Sequence, residues 1–423
     1  MRPPRGTKDK LPDEAFIKRE ICERIRRVFE LYGYGEVETP AFEHLEVLVA
    51  KAGEEVVEQI YAFKDKAGRD LGLRFELTTP IARIVASKLD MPKPIRFYYI
   101  QPVWRYEEPQ RGRLREFWQA GIELIGISDP AGDAEVIAVA YESIKSTGLD
   151  RFEIRVSHRA VVEDILLSAG IPKSRLPEAL RVLDKLEKKG KEYVLSELSK
   201  LGASLEAVEK ALAKLTTPGS ELEVVSQAGR EGLKRLETIQ DILENSYNVK
   251  VTLDFGIVRG LGYYTGPVFE VKTPQAGEIG SIAGGGRYDD LISSLGGPQI
   301  PATGMAIGIE RLIETLELEK RTPKVPPQFD VIVIPVGDSL EVLKYAVRVA
   351  NVVRRESSLR TIVEYEAKSL SKTLERASKR GARFAIIVGE KEVSQGKVNV
   401  RNLEKWSEAT IAVDDVVNLL ASQ

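Results

Sequence analysis

The sequence is poor in the residues from which many active sites are built. One cysteine, Cys22, and two histidines, His44 and His158, occur in 423 residues. A lone cysteine excludes an intrachain disulfide. With neither histidine at ligand spacing from a Cys or His partner, no zinc-type cluster or nucleophilic triad can be assembled, and no protein-built metal site is expected. A Gly-x-x-x-x-Gly-Lys-Ser/Thr loop is missing, which excludes nucleotide binding by that route. No apolar run is long enough to span a bilayer or follows a basic start like a signal peptide, so a cytoplasmic protein is expected. An excess of one charge is absent too: 62 Lys and Arg stand against 64 Asp and Glu, and any basic surface must be local.

What is present is a sizeable core, at 43% hydrophobic residues, and a length that suits two or three domains. The densest signal runs from Gln101 to Gly126. Two strand-like arms, Ile95 to Tyr106 and Glu116 to Ile125, flank a turn holding Arg105, Arg111, Arg113 and Arg115. Guanidinium groups so crowded suit a polyanion such as phosphate, whose oxygens their planar forks match; a solvated hairpin tip is the plainer alternative.

Before the hairpin, Asp13 is expected to cap a helix from Glu14 to Tyr32, with Ile17, Ile21, Ile25, Val28 and Phe29 on one face. The segment Glu36 to Ala41 alternates like a strand, and its Pro40 assigns it to an edge, an interface or a bulge. Leu73 to Thr78 reads as a strand that sends Glu76 and Thr78 to the same side, with a helix following from Thr79 to Leu89. After the hairpin a helix is expected from Asp129 to Ser146 and a strand from Arg151 to Val156. A helical insertion rich in Ala, Leu, Glu and Lys then occupies about 161–243. Strands are expected at Lys250 to Asp254, Val268 to Thr273 and Ile279 to Ala283, and a helix from Glu310 to Leu318.

Pro323, Pro326 and Pro327 fall within five residues and mark a linker at 324–328. Beyond it, at 329–423, strands such as Val331 to Pro335, Thr361 to Tyr365 and Phe384 to Val388 alternate with helical stretches in an α/β domain. Lys368 to Lys405 carries ten Lys or Arg against four Glu. Arg376, Lys379, Arg380 and Arg383 group around a helix end there, as suits phosphodiester contact.

The order of certain residues adds a resemblance. Arg105-Tyr-Glu107, Pro109-Gln110-x-Gly112-Arg113 and Phe117-x-Gln119 resemble motif 2 of class II aminoacyl-tRNA synthetases in the form found in histidyl-tRNA synthetases. Arg259-Gly-Leu-Gly-Tyr263-Tyr264-Thr-Gly is similar to that family's histidine-binding motif, and Gly284-Gly-Gly-Arg287-Tyr288-Asp289 to its second signature. Gly304-Met-Ala-Ile-Gly308-Ile-Glu310-Arg311 resembles motif 3, Arg5-Gly6-Thr7-Lys8-Asp9 the family's opening, and the helix and strand up to Pro40 motif 1.

The resemblance implies a catalytic domain over 1–323, α+β in class and built on a mainly antiparallel sheet, followed by an α/β anticodon-binding domain. It implies activation of histidine by ATP with magnesium, transfer to tRNA(His), and a homodimer through motif 1. Arg105 and Arg259 would face the α-phosphate, with Arg113, Arg311 and Glu107 around the remaining phosphates and the adenine. Glu76, Thr78 and Gln119 would hold the α-amino group of histidine, while Glu123 and Tyr264 read its imidazole beside Tyr263. Gln110, Arg115, Arg376 and Arg383 are candidates for contact with tRNA. Gly262 and Trp118 depart from the family, where aspartate and histidine or tyrosine are frequent. Two alternatives remain: a regulatory subunit of ATP phosphoribosyltransferase that keeps this core without charging tRNA, and a nucleic-acid-binding protein without catalysis.

Overall fold

The computed structural model describes all residues except 52, 53, 218–221, 223, 259–261, 275–278, 367, 368 and 423, and describes 54, 55, 187 and 188 without their side chains. Arg259, Gly260 and Lys368 therefore lie outside the described residues. The chain divides into two compact units, Met1–Pro323 and Lys324–Gln423.

In the first unit the strands are Gly35–Glu36 (β1), Phe42–His44 (β2), Ala62–Lys64 (β3), Asp70–Leu73 (β4), Ile95–Trp104 (β5), Glu116–Ile125 (β6), Glu153–His158 (β7), Thr252–Leu253 (β8), Pro267–Lys272 (β9), Ala283–Arg287 (β10) and Ala302–Gly308 (β11). Eight of them form one sheet in the order β1-β5-β6-β11-β10-β9-β7-β8, while β2, β4 and β3 form a small second sheet. From β5 to β7 every pairing is antiparallel, and only the edge pairs β1 with β5 and β7 with β8 are parallel.

Side chains alternate across this sheet and divide its two faces. Ile122 and Leu124 of β6, Phe269 and Val271 of β9, and Met305 and Ile307 of β11 pack with helices Pro12–Leu31 and Pro130–Ser146 in the larger core. Ile21, Ile25 and Phe29 of the first helix are fully buried there, each adding about 1.5–3 kcal/mol. The other face, with Ile125 and Val268, carries a smaller core that includes Tyr99, Tyr263, Tyr264 and Tyr288. Candidate site residues collect on this second face.

Several expected elements shift. The first helix starts at Pro12 with Leu11 at its cap, and the Leu11 N–H donates to Glu14 Oε2 at 3.3 Å, so Asp13 lies in the first turn and does not cap. The segment around Pro40 contributes only the two-residue edge strand β1. The strand expected over Leu73 to Thr78 stops at Leu73, and the helix that follows is Thr78–Ser87. Ile279 to Ala283 is not a strand; the glycine run Ala283–Arg287 is, because glycines without side chains allow its neighbours to close in on both sides. Between β7 and β8 the chain forms helices from Arg159–Ser168 to Gln227–Ser246.

The second unit is a five-stranded sheet of Val331–Pro335 (β12), Thr361–Val363 (β13), Phe384–Val388 (β14), Lys397–Asn402 (β15) and Glu408–Ala412 (β16), in the order β13-β12-β14-β15-β16. β13, β12 and β14 are parallel and β14 to β16 antiparallel. Helices Leu340–Glu356 and Val416–Ser422 pack with Val331, Val333 and Phe384, and helix Leu370–Lys379 with Ile332 and Ala385. No described helix in the chain is long and apolar enough to cross a membrane.

Candidate active site

Gln119, Gly121 and Glu123 alternate along β6 and face the same side. Gly304 of β11 sits directly opposite Glu123, and Gly286 of β10 opposite Gly304, so the sheet beside this carboxyl carries no side chain on two successive strands. The opening is filled from Glu123 itself. An added Cβ at Gly304 would stand 1.8 Å from Glu123 Oε2.

Glu123 is fully buried. Thr78 Oγ1 donates to its Oε1 at 2.7 Å, Tyr99 donates to the same oxygen at 3.4 Å, and the Tyr288 hydroxyl donates to Oε2. Burial, reinforced by the charge of Glu76, outweighs these bonds and raises the Glu123 carboxyl to about 8. Glu76 is buried as well and folds back over the start of helix Thr78–Ser87, accepting from Thr78 N–H at 2.6 Å and Thr79 N–H at 2.9 Å. Its pKa is also raised by burial. Thr78 thus joins the two acids, its amide to Glu76 and its hydroxyl to Glu123. The expected common face of Glu76 and Thr78 is replaced by a helix start, which brings them together by capping instead of by strand alternation.

Tyr263, Tyr264 and Tyr288 form the aromatic side of this cluster. Their ring centroids are separated by 4.9 Å for the first pair and 5.9 Å for Tyr263 and Tyr288. Gly262 lies exposed in the turn before them. Gln119 is buried, yet its Oε1 accepts no hydrogen bond, and an orphaned buried acceptor is costly unless a ligand satisfies it.

Beyond β5 and β6 the hairpin continues, with Arg105 N–H donating to the Arg115 carbonyl at 2.9 Å. Arg105 Nε donates to the Phe75 carbonyl at 2.9 Å, and its guanidinium lies 5.1 Å from the Phe117 ring centre. Arg113 pairs with Glu107 at 3.2 Å, Arg111 pairs with Glu314, and Arg115 stacks 4.2 Å from the Tyr106 ring centre while donating to the Glu107 carbonyl. Mutual repulsion of the arginines is thus relieved in part by carboxylates and aromatic faces. Arg311 links this tip to the sheet, donating to the Gly112 carbonyl at 3.3 Å and the Ser281 carbonyl at 2.8 Å. Gln110 is exposed at the turn, bridged to Arg113.

The N-terminal segment straps this hairpin. Arg115 N–H donates to the Gly6 carbonyl at 2.7 Å, Arg5 pairs with Glu108, and Lys10 pairs with Glu310. Glu310 in turn accepts from Trp118 N–H at 2.7 Å, and Lys18 Nζ lies 3.7 Å over the Trp118 ring, so Trp118 is held by the first helix and by the helix that opens at Ile309. Gly6 has φ +83°, and an added Cβ would meet Arg115 Cγ at 2.6 Å. Gly6→Ala should therefore displace the strap from the hairpin and open the N-terminal segment to limited proteolysis several-fold faster than in the wild type. Timed proteolysis of the folded variant would check this, and an unchanged cleavage rate would contradict it.

Tyr99 and Tyr288 were not singled out by sequence reasoning as site residues. The signal for Tyr288 was its place in the second signature; Tyr99 had only its position in the first arm of the hairpin. His158 is structural: its Nδ1 accepts from Ala160 N–H at 3.2 Å, and burial lowers it to about 4. His44 is exposed on β2. In the second unit Arg376 pairs with Glu364, Lys379 pairs with Glu375 at 2.6 Å, Arg380 donates to Gln328, and Arg383 lies 5.1 Å from the Phe384 ring centre. The basic surplus near this helix end is thereby partly paired.

A central antiparallel sheet, an arginine-bearing hairpin on β5 and β6, and a strand–helix element at β11 carrying Arg311 define a class II aminoacyl-tRNA synthetase. Residues 6–312 match the histidyl-tRNA synthetase family and residues 330–423 the anticodon binding domain. The chain is 41% identical over 427 residues to the histidine–tRNA ligase of Pyrococcus furiosus and 41% identical over 431 residues to that of Thermococcus kodakarensis, covering 98% of both chains in each case. The histidyl-tRNA synthetase structure from a Nostoc species superposes with a TM-score of 0.79 at 29% identity, covering 100% of this chain and 99% of that one. The chain belongs to the histidyl-tRNA synthetase family, whose enzymes activate histidine with ATP and transfer it to tRNA(His).

Proposed function

We propose that the pocket around Glu123 is the histidine site and the hairpin beside it the ATP site of this ligase. The observation that carries the assignment is Gln119 Oε1, buried and accepting no hydrogen bond on the strand that links the two. Glu76, Thr78 and Gln119 take the α-amino group, Glu123 and Tyr264 take the imidazole, and Tyr263 packs beside them. The histidine carboxylate then attacks the α-phosphorus, the bond to the β-phosphate oxygen breaks, and pyrophosphate leaves. Arg105 and Arg259 offset the charge that builds there, while Arg113, set by Glu107, and Arg311 hold the rest of the nucleotide. Fixed guanidinium groups suit this role because they need little reorganisation as charge develops.

Among the described residues no three His, Cys, Asp or Glu side chains converge to hold a metal. Magnesium bound with the nucleotide would supply further neutralising charge. Gln110 and Arg115 reach toward tRNA from the hairpin, Arg376 and Arg383 from the second unit, which reads the anticodon. The first helix and the Pro40 segment form a homodimer interface, and the protein works in the cytoplasm. Histidine-dependent exchange between pyrophosphate and ATP tests the adenylation site; absence of exchange from folded, magnesium-replete protein would refute it. Removal of the residues after Pro327 should leave this exchange measurable and greatly weaken charging of tRNA. Normal charging by the folded truncation would refute the anticodon role.

A further inference from the structure

The pocket assigned to histidine holds two buried acids, and among the described residues no basic side chain is bonded to either. Among the described residues, those that bond or sit directly opposite Glu123 contribute a hydroxyl or no polar side-chain group, and the nearest charged group is another acid. β5 supplies Tyr99, the start of helix Thr78–Ser87 supplies Thr78 with Glu76 just before it, the segment after β10 supplies Tyr288, and β11 supplies only Gly304. Tyr263 and Tyr264 stand nearby with Tyr288 in the same small core. Burial holds the Tyr99, Tyr263 and Tyr288 hydroxyls protonated, with pKa values well above the ordinary phenol.

This lining differs in kind from an ion-pair site. Lysine or arginine can only donate and would strip the carboxyl of its proton, whereas a hydroxyl can donate to a carboxylate or accept from a carboxylic acid. Glu123 has hydroxyls at both oxygens, and Glu76 sharing Thr78 with it adds a second acid that disfavours a second negative charge. Neutral imidazole has one nitrogen that donates and one that accepts, so the accepting nitrogen is a partner for a protonated carboxyl.

We propose that Glu123 keeps its proton in the histidine complex and shares it with the ring nitrogen it faces, so that the pocket takes neutral histidine without releasing a proton to solvent. This rests on the assignment of Glu123 as an imidazole reader. The O–H of Glu123 becomes the donor and the ring lone pair the acceptor, and no hydrogen leaves the pair.

The competing arrangement, a Glu123 carboxylate accepting from the ring N–H, has the opposite dependence on pH. If the proton is retained, histidine affinity is full below about pH 8, where the empty site carries the proton, and declines above it as Glu123 ionises, approaching tenfold per pH unit. If the carboxylate is required, affinity rises through the same range. The test is calorimetric titration of the full-length protein with histidine between pH 7 and 9, in buffers of different ionisation heat, alongside Glu123→Gln, whose amide can donate but cannot titrate. The expected result is a ratio of wild-type to variant affinity that falls above pH 8, with the same proton release from both proteins at pH 7.5.

A ratio that rises through pH 8, with more protons released by the wild type, overturns the retained proton and leaves Glu123 as the reader. A ratio independent of pH, with affinity unchanged in the variant, overturns the assignment of Glu123 itself. Should the variant bind no histidine, the wild-type trend from pH 7 to 8.5 decides: a fall supports the retained proton and a rise overturns it.

Discussion

Gly304→Ala is expected to cut histidine activation by roughly 10²-fold or more, the scale of loss that follows a misplacement of about 1 Å in a catalytic pocket. The new Cβ would lie 1.8 Å from Glu123 Oε2 and 2.7 Å from both Glu123 Cδ and the Ile122 carbonyl. The carboxyl could yield by rotating, but only by leaving Tyr288 and Thr78; the backbone of β6 could yield only by breaking its pairing with β11. Either way the proposed histidine pocket is lost, while the hairpin proposed to bind ATP is some residues away along β6. Pyrophosphate exchange at saturating ATP, with circular dichroism to establish folding, would check the outcome. A folded variant that activates histidine at the wild-type rate would show that Glu123 is not where the ring is read.

Asp133→Ala should destabilise the first unit by about 3–5 kcal/mol, the usual result of removing one partner from a buried ion pair. Asp133, on helix Pro130–Ser146, is 3% exposed and accepts from Arg287 Nε at 3.0 Å and from Arg235 Nε at 2.9 Å. Arg287 Nη2 is also 2.9 Å from its Oδ1, at an angle too steep to bond, so Nε carries the directional contact. Arg287 retains Asp289 and the Ile127 carbonyl in the variant, which argues for the lower half of the range. Because Arg287 immediately precedes Tyr288, activation of histidine should fall as well. Urea unfolding followed by fluorescence would measure the loss, and a change below about 1 kcal/mol would mean that solvent reaches the arginines.

Elements with strong local chemistry were legible in the sequence. The hairpin arms, Val331–Pro335 and Phe384–Val388 are rich in β-branched or aromatic residues and form strands where that composition places them. Leu73 to Thr78 misled because alternation outweighed Pro80, a signal of a helix start, and because the two amides that Glu76 captures exist only once the helix has begun. The strand at Ala283–Arg287 was hidden by its three glycines, which have poor strand propensity and are selected by crowding from β9 and β11. The candidate histidine pocket was legible only through resemblance. Tyr99, Glu123 and Tyr288 come from positions up to 189 residues apart, if the span is taken from Tyr99 to Tyr288, and no local spacing relates them. Buried hydroxyls around a carboxyl leave no pattern in a linear sequence.

The helices between β7 and β8 have a consequence for how this chain can change. They leave the sheet after His158 and return at Thr252, and the strands at these two points are neighbours, with Arg155 beside Thr252. The excursion therefore ends beside a residue three positions before the one where it begins, so its two ends are roughly 11 Å apart, from three strand rises of about 3.3 Å and one strand spacing of about 4.8 Å. Closing such a loop becomes only about 0.6 kcal/mol more costly for each doubling of its length. The sheet can thus keep its register while the excursion is lengthened, shortened or replaced, and these helices are free to diverge faster than the strands that carry Glu123, Gly286 and Gly304.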